Sequence, residues 1–222
     1  MLRKNWWKIL SVLFLLYAFI AGFLGAVPVK PILNETIRNL YFHVAMWFCM
    51  IIFFIISLVY SVKYLRNNND VNDIYALEYS KIGILFGLLG LTTGSVWARY
   101  TWGSFWSNDP KQLGAAIALL IYFAYLVLRS SITDIDKQAR IGAVYNIFAF
   151  AMLFPTIWII PRMVESLHPG GMGGNNTFNN IDSRMRLIFY FGAIPGWTLL
   201  GVWITTLRIR LKLLQEKKFR NA

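Results

Sequence analysis

The chain has 222 residues, of which 57% are apolar, 17% aromatic and only 14% charged. That charge fraction, against about 25% in a soluble domain, excludes disorder, which needs low hydrophobicity and high charge. The single cysteine, Cys49, excludes an internal disulfide framework and any Cys-built zinc or iron–sulfur centre within the chain. A net charge of +12 would point a soluble protein toward nucleic acid. Here the basic residues fall between long apolar runs and form no single face, so the partner is membrane lipid and no nucleic acid.

Six apolar runs approach the roughly 20 residues a transmembrane helix needs. They are Ile9–Val27, Val44–Val62, Ile82–Trp97, Leu113–Leu128, Ile141–Ile160 and Leu187–Leu207, and none contains Asp, Glu, Lys, Arg or His. The expected fold is an all-α membrane protein, one six-helix domain over residues 1–222. The first run exceeds the usual signal-peptide core of about 7–15 residues and lacks a small-x-small cleavage site, so it reads as a retained helix. The third and fourth runs are short, and their helices should extend into the interface.

Basic residues crowd the N-terminus (Arg3, Lys4, Lys8), the second loop (Lys63, Arg66, Lys81), the fourth loop (Arg129, Lys137, Arg140) and the tail from Arg208 to Arg220. By the positive-inside rule both termini are cytoplasmic and the first, third and fifth loops face outward. The tail reads as an orientation signal on anionic headgroups.

In chain order, Asn34 can cap a helix running into the second span, where His43 and Trp47 are i, i+4 neighbours. Asn67–Asp70 is a cytoplasmic turn. The third loop is dense in indoles: Trp97, Trp102 and Trp106, with Arg99, Phe105, Asp109 and Lys111. If it is helical, Trp102, Trp106 and Asp109 share a face with Phe105 and build a flat apolar shelf rimmed by cations. An aromatic belt at the membrane interface explains the same indoles. Asp109-Pro110-Lys111-Gln112 has the form of an N-cap followed by Pro at the first helical position, a structural use of that carboxylate. Pro155 and Pro195-Gly196 should kink the fifth and sixth spans. In the fifth loop, Pro161 can open a short helix ended by Pro169-Gly170, with Glu165 placed to orient His168. The glycine-rich 170–174 stretch lacks the strand, helix and Lys-Ser/Thr of a phosphate loop. The glycosylation patterns at Asn34 and Asn175 are too common to carry weight.

Both histidines of the chain, His43 and His168, therefore sit at span ends on the outward side. Two neutral imidazoles can occupy the opposite axial positions of one haem; two separate interfacial polar residues are the alternative. The spans hold no ionisable residue of the kind pumps and proton-coupled carriers use. No Walker motif, hydrolase nucleophile set or metalloprotease helix is visible.

Trp102-Gly-Ser-Phe-Trp106-Ser-Asn-Asp109-Pro-Lys resembles the tryptophan-rich WWD signature of a haem-handling superfamily. With six spans and one histidine in each flanking outer loop, the chain is similar to the CcmC (haem exporter protein C) family of cytochrome c maturation. The resemblance implies His43 and His168 as axial ligands of a non-covalent, transient haem b. It also implies an indole cradle from the third loop, at 97–112. It further implies a bacterial inner-membrane location and hand-over to the periplasmic chaperone CcmE. Partners would be the ABC-type CcmA/CcmB complex and the small subunit CcmD. The role is delivery, not enzymatic turnover. Arg99, Lys111 and Arg162 are the propionate-pairing candidates by charge and loop position. The chain departs from the pattern at Asn108 and Phe105, where the family carries Trp, and at Gln112. A b-type electron-transfer subunit and a haem or solute permease subunit are the competing readings.

Overall fold

The structure, a computed structural model, describes residues 5–30, 32–168 and 181–220. Arg3 and Lys4, the glycine-rich 170–174 stretch and the glycosylation pattern at Asn175 lie outside the described residues. Six helices are long and apolar enough to cross a membrane, as expected in lipid, where every backbone polar group must be satisfied within its own segment. They are α1 (Trp6–Leu24), α2 (His43–Asn67), α3 (Asp70–Trp102), α4 (Pro110–Ser131), α5 (Ile135–Met163) and α6 (Ser183–Lys218). Each coincides with one of the six apolar runs. The third and fourth runs lengthen into helices of 33 and 22 residues. A 3₁₀ helix, Asn34–Tyr41, leads into α2.

The helix ends follow from local chemistry. Asn68 takes a left-handed conformation (φ 49°) between α2 and α3, and the Asn69 side chain accepts from the Val71 amide at 2.9 Å. Asp134 caps α5 by accepting from Lys137 N at 2.9 Å. Gly103 (φ 84°) ends α3 in a left-handed residue that favours glycine.

Four small residues of α3 set the packing at the centre of the bundle. A Cβ added at Gly83, Gly87, Gly90 or Gly94 would fall 2.5, 2.9, 2.9 and 2.4 Å from side-chain atoms of Phe54, Met50, Trp47 and His43 of α2, respectively. The glycines recur every three or four residues, as do their partners, so α2 and α3 interlock along one antiparallel register. Beside this ladder, the Phe54 and Tyr122 rings stack with centroids 3.6 Å apart, joining α2 to α4.

The turns between α2 and α3 and between α4 and α5 lie at one end of the bundle, together with both described termini. Most of the charged and amide groups there meet at close range, although Asn146 Oδ1 is left without a partner. Arg129 grips both carboxylate oxygens of Asp73 at 2.6 Å, Glu78 binds Lys81 at 2.9 Å and Arg208 at 2.5 Å, and Asn146 donates to Ser57 and Ser61 at 2.7 Å.

The kinks expected at Pro155 and Pro195 take the form of π turns, Phe154–Ile159 in α5 and Phe189–Ala193 just ahead of Pro195 in α6. The first presses its backbone on α4: a Cβ at Gly114 would lie 2.0 Å from the Thr156 carbonyl oxygen.

Candidate functional site

The other end of the bundle gathers the 3₁₀ helix, the start of α2, the end of α3, the start of α4 and the segment after α5. Arg38 fixes the 3₁₀ helix by donating to the carbonyls of Gly22 and Gly25 at 2.7 and 2.6 Å, closing the end of α1. Asn39 donates to Thr93 O at 3.1 Å, and the Trp97 indole to Thr36 Oγ1 at 3.0 Å. The 3₁₀ helix is thus pinned across α3.

His43, the first residue of α2, occupies the last rung of the glycine ladder. Its ring lies against Gly94, with Trp47 and Trp97 edge-on at 6.2 and 5.8 Å between centroids. Nδ1 is 2.9 Å from the Gly90 carbonyl oxygen. A carbonyl can only accept, so Nδ1 carries the proton and the lone pair is on Nε2.

His168 reaches the same end from the segment after α5. Its Nδ1 lies 2.7 Å from Asp109 Oδ1, and its ring meets Trp102 edge-on at 4.6 Å between centroids. Asp109 also accepts from Lys111 N (2.9 Å), Ser166 Oγ (2.8 Å) and Leu167 N (2.7 Å). Burial opposes ionisation of this carboxyl. The donors from Lys111, Ser166, Leu167 and His168 outweigh it and hold the group below the usual aspartate range. Burial also lowers the pKa of His168 and outweighs the nearby Asp109 charge, favouring neutral imidazole. With ionised Asp109 as acceptor, Nδ1 of His168 donates and Nε2 again holds the lone pair.

Both histidines line one cavity of about 430 Å³, a size suited to a small-molecule ligand. Its wall is mostly apolar, from Ile37, Leu40, Trp47, Leu91, Trp97 and Trp102. Two anchored imidazoles facing one apolar cavity can ligate an iron whose other positions a flat macrocycle already fills. No group of three His, Cys, Asp or Glu among the described residues could hold a bare metal ion.

The sequence-predicted residues divide. His43, Trp97, Trp102, Lys111 and His168 line the cavity, and Lys111 is the one Lys or Arg among the lining residues described. Asp109 is buried just behind His168, while Arg99, Phe105, Trp106 and Arg162 are exposed away from the lining. Arg99 donates to the Gly103 carbonyl, and Arg162 donates to Trp158 O at 2.8 Å and lies 4.5 Å over its ring.

Two expectations need correction. The third loop is helical only as far as Trp102, so Trp102, Trp106 and Asp109 do not share a helical face. Gly103 ends the helix, and Asn108, at φ 57°, turns the chain while accepting the Trp106 indole at 2.7 Å. The acceptor at His168 is Asp109 and not Glu165, which is exposed. Pro161 lies in the last turn of α5, which stops at Met163 before either residue, and Pro169-Gly170 lie outside the described residues. The N-cap reading of Asp109 holds, and the same carboxylate serves His168 as well. Sequence reasoning missed Gly90 and Gly94, which seat His43, and Ser166, which shares Asp109. The glycine spacing on α3 was the available signal for the first two.

A family model for heme exporter protein C, CcmC, matches residues 2–222. The chain belongs to the CcmC family. Among curated relatives, heme exporter protein C of Rhodobacter capsulatus is 30% identical over 169 residues, 74% of this chain and 68% of the relative. Heme exporter protein C of Escherichia coli K12 is 27% identical over 221 residues, 96% of this chain and 85% of the relative. That of Paracoccus denitrificans is 22% identical over 196 residues, 88% of this chain and 80% of the relative. The stretch matched by the family model holds all six helices.

Proposed function

We propose that this CcmC-family chain handles haem for cytochrome c maturation. It binds haem b non-covalently at the outer face of the bacterial inner membrane, with His43 and His168 as axial ligands, and delivers it to a periplasmic chaperone of the CcmE type. The carrying observation is that the chain's two histidines line one apolar cavity, each with Nδ1 tied to an acceptor. Anchoring of this kind fixes ring orientation and leaves Nε2 to ligate. Trp47, Trp97 and Trp102 supply flat apolar walls, and Lys111 is the cation placed to pair a propionate. The basic even-numbered loops support a periplasmic position for this end. Cargo is bound and passed on without turnover, alongside CcmA/CcmB and CcmD.

Purification with haem tests the ligands. His43→Ala and His168→Ala should each lose most of the bound haem and its low-spin Soret spectrum. If both variants keep wild-type content and spectrum, the ligand assignment is wrong. Added apo-chaperone should withdraw haem from the loaded protein; retention would identify an electron carrier instead.

A further inference from the structure

The two histidines are held in opposite ways. His43 starts a 25-residue helix, is wedged on Gly94 and shares its Nδ1 proton with a neutral backbone carbonyl. His168 lies outside any helix, and among the described residues the hydrogen bonds that tie Ser166–His168 to the rest of the chain converge on one side chain, beside the edge contact of the His168 ring with Trp102. The Ser166 hydroxyl, the Leu167 amide and the His168 Nδ1 all donate to the carboxylate of Asp109, at 2.8, 2.7 and 2.7 Å. Ser166 Oγ in turn accepts from the His168 amide at 3.1 Å, which closes the loop on itself. Asp109 is itself rigid, since it caps α4 through Lys111 N.

We propose that Asp109 is the positioning residue of this site, making His168 the stronger electron donor and the ligand whose withdrawal opens it. The inference rests on the bis-histidine reading above. An imidazole that shares its proton with a carboxylate is more basic at its other nitrogen than one bonded to a backbone carbonyl. A negative group behind His168 favours ferric over ferrous iron. The same carboxylate is a clasp, and parting Ser166–His168 from it swings one ligand aside while His43 stays seated. Grip and release are then controlled at a single buried group.

The test uses the full-length protein loaded with haem. Asp109→Asn keeps a competent N-cap and removes the charge. Ser166→Ala keeps the carboxylate–imidazole bond and removes one strand of the clasp. For Asp109→Asn the expected results are a higher midpoint potential, altered ferric low-spin electron paramagnetic resonance, and haem transfer to apomyoglobin faster on the order of tenfold. Ser166→Ala should speed transfer by less and leave the potential unchanged. The proposal is overturned if Asp109→Asn leaves potential and transfer rate at wild type, or if Ser166→Ala moves the potential as far as Asp109→Asn does. Should His168→Ala itself retain the wild-type spectrum, the ligand reading fails first. Should His168→Ala lose haem while Asp109→Asn changes nothing, only the role of Asp109 falls.

Discussion

The two ends of the bundle use polar groups in opposite ways. At the end with the short turns, Arg129 and Asp73 satisfy each other, as do Glu78 and its two cations, and Asn146 bonds two serines of α2. Little of that chemistry is left to meet a ligand. At the other end both imidazoles spend one nitrogen on fixation and keep the second beside an apolar cavity. The closed end holds helices together; the open end holds side chains still. Burial alone would not separate them, because Asp109 is as enclosed as Glu78. What separates them is where unused capacity is placed: at the closed end Asn146 Oδ1 is buried without a partner, whereas the two imidazoles line a cavity.

The contrast can be tested by substitution, beginning where the effect should be largest. Arg129→Ala strands the Asp73 charge, and breaking a buried pair of this kind costs about 3–5 kcal/mol. Thermal melts in detergent should show the loss, and the double variant Arg129→Met/Asp73→Asn should regain much of it. Neither should move the haem spectrum of the protein that remains folded. Gly94→Ala attacks the open end: its Cβ would meet His43 Cε1 at 2.4 Å, and overpacking of this sort costs about 1–3 kcal/mol. Haem titration should show affinity falling by roughly tenfold at the lower part of that range, with α1, α4, α5 and α6 undisturbed. Trp106→Ala should do least. The indole is exposed and lies off the cavity, so haem content should stay within about twofold of wild type. A large loss there would return Trp106 to the site and undo the separation of lining from non-lining indoles.

The six helices were legible because apolar length is dictated by lipid thickness; five runs lie inside their helices, while α1 stops at Leu24, short of the end of the first run. His43 and His168 stood out because the chain has no others. The fate of the third loop was harder to read. The spacing of Trp106 and Asp109 would put them on one face only if the helix continued, and a glycine free to adopt φ 84° ends it at Trp102. Glu165 looked like the partner of His168 because it is near in sequence; Asp109, 59 positions away, is near in space. Local spacing cannot report a contact that depends on α4 and the end of α5 meeting. The ladder of Gly83, Gly87, Gly90 and Gly94 was written in the chain, but its meaning required the residues of α2 that fill it.

If His43 ligates haem as proposed, that ladder makes the site conditional on correct insertion. Each α-helical residue advances by about 100°, so a one-position slip of α2 against α3 would turn the imidazole out of its notch and toward lipid. A mis-threaded hairpin would therefore be unable to take cargo at all. On that reading, uptake of the pigment would be its own certificate that the polypeptide has been assembled in the correct alignment.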